Sequence, residues 1–158
     1  NIDPATIEDA LLAHPAVAAA GAVGRPDVHA GEVPVAFVAL AASARVTVAE
    51  LEAWAAERVP ERAAAPRHIE IVDELPYTAV GKPYKLALRA DATRRAVTDA
   101  LAGFPSTYVD TAIDDGSVVT TLTVAGDTDT AAVTAVLNQY ALRWHLSMGA
   151  TDSAPVSD

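Results

Sequence analysis

The sequence predicts an α+β chain arranged as two small layers, on three observations. Helical apolar stripes with capping residues follow one another in alternation with short strands. The run "GEVPVAFVAL" (31–40) is apolar on both faces, as a central strand must be. After "AGFPS" (102–106) the order changes to strand, strand, helix, strand.

Asp3 caps the first helix and Pro4 takes its first position, where a missing N–H costs nothing. Ile7, Ala10 and Leu11 give it an apolar stripe, and it ends near His14 and Pro15. "AVAAAGAVG" (16–24) reads as a strand of small residues, and "GRPDVHA" as the loop leading to the strand at 31–40. Thr47 and Glu50 form a capping box ahead of a second helix bearing Leu51, Trp54, Ala55 and Val59. Ile69 and Ile71 alternate with polar neighbours in a strand over 67–72. A third helix over 86–102 carries Leu86, Ala90, Val97 and Leu101, with Arg89, Arg94 and Arg95 expected on a solvated face.

Beyond the break, "TYVDTAI" and "SVVTTLTV" flank "DDG", a hairpin signal. A helix with Val133, Val136, Leu137 and Tyr140 follows, capped near Asp129. Leu142, Trp144, Leu146 and Met148 then alternate with polar residues in a half-buried strand. The expected division is 1–102, a ββαβ extension at 103–148, and a disordered tail at 149–158. Two separate layers are preferred to one shared split-βαβ sheet, and no internal repeat is visible.

Composition excludes several classes of function. The chain of 158 residues has a formal net charge of −10, which opposes nonspecific binding to nucleic acid or anionic membranes. Without cysteine there is no disulfide, thiolate metal site or thiol nucleophile, in keeping with a cytoplasmic setting. No apolar run is long enough for a transmembrane segment. The start "NIDPAT" lacks an initiator Met, so the expectation is a piece of a longer protein.

Most chemistry-bearing residues have ordinary roles available. His14, His29, His68 and His145 are scattered, so no metal site is expected. The pairs Asp73–Glu74 and Asp114–Asp115 suit loop solvation and turn formation, and Trp54 and Trp144 lie on apolar stripes expected in the core. "TAVGKPYK" (78–85) stands apart because it holds both lysines of the chain, Lys82 and Lys85, against nine arginines. It is not a Walker loop, since the first glycine and the hydroxyl residue are missing. Chemistry alone leaves two readings of Lys82: a solvated loop lysine, or a mobile point charge that reaches an anion from the tight turn at Gly81. Lys85 reads as a surface residue that opens a helix.

The ordered series narrows this. "NIDPATIE", "HPAV", "VGRPD", "GE" at Gly31–Glu32 and "LPYTAVGK" at 75–82 resembles the C-terminal domain of adenylate-forming acyl-CoA synthetases, over residues 1 to about 90. Residues 103–158 lie outside that resemblance. It implies a small mixed-sheet lid that rotates against an N-terminal adenylation domain of the same chain. ATP, Mg2+, CoA and a carboxylic acid, as in fatty-acid activation, would be the ligands of the whole enzyme. Lys82 then matches the adenylation lysine, and Gly81, Thr78 and Glu32 match residues near bound substrate. Val80 stands where the family often has Thr or Ser, and Pro83 where Ile, Val or Leu is usual. The resemblance implies that this piece alone is inactive. Two other readings compete: the lid of an enzyme that loads a carrier protein, and a non-catalytic binding module in which the strand around Trp144 forms a homo-oligomer.

Overall fold

The computed structural model describes residues 3–60 and 65–149. Asn1 and Ile2 of the opening motif, and the expected tail from residue 150 onward, lie outside the described residues. Gly149, assigned by sequence to that tail, still donates its N–H to the Val124 carbonyl at 2.8 Å.

Helix α1 (Pro4–Leu12) starts as expected, with the Asp3 carboxylate accepting from Ala5 N. Strands β1 (Val17–Asp27) and β2 (Gly31–Leu40) form an antiparallel hairpin. The predicted loop at 24–30 is thus mostly strand, because Gly24 to Asp27 pair with Pro34 to Gly31. Only three residues turn the chain. The Asp27 carboxylate accepts from the N–H groups of His29 and Ala30, and Gly31 takes φ +79°, a region that disfavours a side chain. Helix α2 (Val48–Arg58) carries both bonds of its capping box, and β3 (His68–Val72) runs parallel to β2.

The resulting sheet, β1-β2-β3, is covered on both faces. Ile7, Leu11, Ala36, Val38, Leu51 and Ile69 fill one side. Val23, Val35, Phe37, Leu75, Leu88 and Ala92 fill the other. This accounts for the two-sided apolar pattern of β2.

Helix α3 (Lys85–Ala100) departs from its predicted stripe. Leu86 and Ala90 are only half-buried, while Leu88 and Ala92 face the first sheet and Val97 and Leu101 enter a second core. That core is completed by β4 (Thr107–Asp114), β5 (Ser117–Val124) and α4 (Thr130–Leu137), through Val109, Leu122, Val124, Val133 and Leu137. The β4–β5 turn is Asp115–Gly116 with φ of 48° and 72°, the positive pair that a two-residue hairpin prefers. Tyr140 falls beyond the end of α4, and β6 (Trp144–Met148) is an edge strand parallel to β5, more exposed than its alternation suggests.

Among the described residues two separate three-stranded mixed sheets therefore form, as the sequence predicts. The structure also contains a repeat that the sequence hides. Each unit runs helix, strand, strand, helix, strand, with an antiparallel pair followed by a parallel one. Neither tryptophan lies fully in the core. Trp54 packs at the edge of α2, donating from Nε1 to the Ala10 carbonyl at 2.7 Å with the Arg58 guanidinium over its ring.

The arginines of α3 do not form a free solvated face. Arg89 pairs with Glu32, Arg94 with Asp91, and Arg95 with both Asp91 and Glu70 of β3. Partial burial raises the Asp91 pKa, but hydrogen bonds and charge from Arg95 and Arg94 outweigh it and hold the carboxyl below its usual range. A lowered carboxylate pKa stabilises the fold above about pH 4 and loses that contribution as pH falls through the folded-state value. Asp91→Asn should therefore destabilise the chain at pH 7, and urea melts should show the gap to wild type closing below about pH 4. Leu101→Ala, which opens the second core, should cost about 2–5 kcal/mol in the same melts at neutral pH.

Candidate functional site

Residues 75–85 form a small hairpin that ends in the first turn of α3. Tyr77 and Pro83 face each other in an antiparallel bridge. Its two hydrogen bonds run from Thr78 N to the Lys82 carbonyl and from Tyr84 N to the Pro76 carbonyl, both 2.7 Å. Tyr77 and Pro83 thus occupy a position where the ladder needs no N–H from either residue. Proline is tolerated here for that reason, and its fixed φ keeps the returning arm extended.

The tip is a tight turn. Gly81 N donates to the Thr78 carbonyl at 2.9 Å, and Lys82 N donates to Thr78 Oγ1 at 3.3 Å. Gly81 adopts φ +78°. A Cβ there would touch nothing, so the requirement for glycine is conformational rather than steric. Thr78, Gly81 and Lys82 are thereby brought into one turn, with the lysine side chain directed from an exposed position. Among the described residues nothing bonds the Lys82 ammonium. Val80 beside it is 81% exposed, a bare apolar residue at the outermost point of the hairpin.

The base of the hairpin is firmly seated. Leu75 is buried beneath it, and Leu88 of α3 lies against Gly21 of β1. A Cβ at Gly21 would come within 2.5 Å of Leu88 Cδ1, so the bare backbone of β1 gives the Leu88 side chain its room, while Pro83 lies at ordinary contact distance, 3.9 Å. The Lys85 ammonium donates to the Glu8 carboxylate and, at 3.0 Å, to the Ala22 carbonyl. Glu8 also accepts from Ala22 N at 3.3 Å. Lys85 does open a helix, but it is not simply a surface residue.

Glu32 is not joined to this turn by any bond among the described residues. Its carboxylate pairs with Arg89, one turn along α3, and lies over Gly24. Both charged side chains line a groove of about 740 Å3 with Gly24, Gly31 and Pro34, and no residue of the lysine hairpin lines it. The other sequence candidates take structural roles: Asp114 flanks the β-turn and pairs with Arg143, while Asp73 and Glu74 are solvated. The sequence singles out Lys85 but gives no sign of its partner Glu8. The available signal was a lysine at the start of a helix, where the dipole disfavours a cation.

Residues 6–82 match the family described as AMP-binding enzyme C-terminal domain. The chain is 42% identical over 114 residues to a marinolic acid–CoA ligase of a Pseudoalteromonas species, covering 72% of this chain and 17% of that protein. It is 41% identical over 96 residues to a medium/long-chain fatty-acid–CoA ligase of Mycobacterium tuberculosis, covering 57% of this chain and 17% of the ligase. The first of these alignments takes in more of the chain than residues 1–102 could supply, so it reaches into the region expected to lie outside the resemblance. Among solved structures, an amide bond synthetase from Marinactinospora thermotolerans matches at TM-score 0.55 and 34% identity, covering 59% of this chain and 19% of that one. An acyl-CoA synthetase of Brucella canis matches at TM-score 0.52 and 39% identity, covering 56% and 17%. This chain thus spans about a sixth of the length of these curated ligases. No helix among the described residues is long and apolar enough to cross a membrane. Residues 6–82 thus form an AMP-binding enzyme C-terminal domain, and the curated relatives matched here are acyl-CoA ligases.

Proposed function

We propose that this chain is the mobile lid of an ATP-dependent acid–CoA ligase and that Lys82 is its adenylation lysine. The observation that carries this reading is the hairpin: an ammonium with no partner among the described residues, at an exposed tip on a base packed into the domain. In the first half-reaction, an oxygen of the substrate carboxylate attacks the α-phosphorus of Mg-ATP. The bond from that phosphorus to the bridging oxygen breaks, and pyrophosphate leaves with its electron pair. Lys82 acts by placing positive charge beside the attacking carboxylate and the α-phosphate oxygens, a role of positioning and electrostatics.

In the second half-reaction the CoA sulfur attacks the acyl carbonyl carbon, its proton passes to solvent, and AMP departs. Lys82 has no task in that step. Rotation of the lid about a hinge withdraws it and admits the thiol. The apolar Val80 at the tip suits burial against an N-terminal adenylation domain, which would supply the ATP and acid pockets. Thr78 and Gly81 serve by shaping the turn around Lys82, and Glu32 lines a separate groove beside Arg89. CoA is favoured as acceptor because the two ligases matched at 41–42% identity are both CoA ligases. Residues 1–102 are read as the lid and 103–148 as an appended unit that moves with it, since α3 is common to both cores.

In the complete ligase, Lys82→Ala should reduce acyl-adenylate formation by at least about a hundredfold, the scale of losing one transition-state charge contact. Release of CoA ester from supplied acyl-adenylate should stay close to wild type. Equal loss of both half-reactions in a stopped-flow and quench comparison would remove Lys82 from this role. The present chain alone, incubated with Mg-ATP, CoA and a panel of acids, should release no pyrophosphate above background. Turnover by the pure chain would refute the reading of it as a lid only.

A further inference from the structure

Lys85 sits where local chemistry argues against it. It is the first residue of α3, a helix with no acidic residue in its first turn and no side-chain cap at Tyr84. A cation at that end opposes the helix dipole. A residue placed against such a preference usually answers to another constraint.

The geometry supplies one. The Lys85 ammonium has three donors, and two of them are committed, to the Glu8 carboxylate on α1 and to the Ala22 carbonyl on β1. Glu8 closes the ring by accepting from the N–H of the same Ala22. Three elements distant in sequence therefore meet at one ammonium. Both groups are partly shielded, with side-chain exposures of 42% for Lys85 and 19% for Glu8. The residue before Lys85, Tyr84, donates the last hydrogen bond of the lysine hairpin, and its carbonyl accepts from Ala87 and Leu88 in the first turn of α3. The clamp thus grips the chain directly where the hairpin becomes helix.

We propose that Lys85 is a positioning residue for Lys82, fixing the base of the hairpin to α1 and β1 so that the tip lysine is delivered at a constant place. The two lysines act in series, one anchored and one exposed. This rests on the reading of Lys82 as the adenylation lysine. The required accuracy is high, because displacement of a reacting group by about 1 Å can cost a hundredfold in rate.

The test has two arms. In this chain, Lys85→Met, which keeps the length and removes the charge, should speed hydrogen exchange at the Thr78 and Tyr84 amides, while Lys85→Arg keeps most of their protection. In the complete ligase, Lys85→Met should lower adenylation about 10- to 100-fold and leave thioesterification of supplied acyl-adenylate unchanged, with Lys85→Arg recovering most of the loss. Glu8→Gln should follow Lys85→Met in both arms. Unchanged amide exchange with unchanged adenylation overturns the proposal. A matching loss of both half-reactions together with a lower unfolding midpoint overturns it too, since that marks a general stability role. Normal adenylation by the Lys82→Ala ligase would instead strike the reading of Lys82, and the amide exchange would still decide whether the clamp holds the hairpin.

Discussion

Helix α3 is the constraint on which the rest of the molecule depends. Its sixteen residues are asked to cover one sheet with Leu88 and Ala92 and to complete another core with Val97 and, just past its end, Leu101. A helix that serves two cores cannot keep a single apolar stripe, and its remaining faces cannot simply be wet. They are tied down instead. Lys85 reaches α1 and β1, Arg89 reaches β2, Arg95 reaches β3, and Arg25 of β1 reaches back to Asp99 at 2.7 Å. Individually such part-exposed pairs contribute little. Spread along one helix, they fix its rotation and its axial position against the sheet, and the hairpin that precedes it inherits that fixity.

The hairpin converts this rigidity into presentation. Pro83 stands where the resemblance leads one to expect Ile, Val or Leu, yet it occupies an arm position whose N–H the bridge does not use. Gly21 leaves room on β1 for Leu88 of α3, and Gly81 supplies the left-handed turn at the tip. The left-handed residue is at the tip, and the arms below it are bonded.

Much of this was legible in the sequence because local chemistry decides it. Asp3 with Pro4, Thr47 with Glu50, and Asp115 with Gly116 each fix their own caps or turn without help from distant residues. The central place of β2 followed from its two apolar faces. What could not be read depended on partners far along the chain. The loop predicted at 24–27 became strand because β2 offered it a ladder, and the α3 arginines looked solvated because Glu32 and Glu70 lie outside the helix. Lys82 stood out by motif, whereas Lys85 acquires a role only once Glu8, 77 residues away, is placed beside it. The repeat stayed invisible because it is conserved in order and pairing while its side chains differ, Ile7 and Leu11 in one unit against Val97 and Leu101 in the other.

The two units share a face without sharing an element. The helix that opens the second unit, α3, also covers one side of the first sheet, so the two cores meet on it. The natural place to divide the sequence, at the Gly103–Pro105 break, falls after Val97 and Leu101 and would strip them of Val109, Leu122 and Leu137. A cut there leaves the first unit with a sticky helix end and the second without its lid. The inheritable piece is therefore the pair: exchanging this segment between proteins that carry it transfers both sheets or damages both.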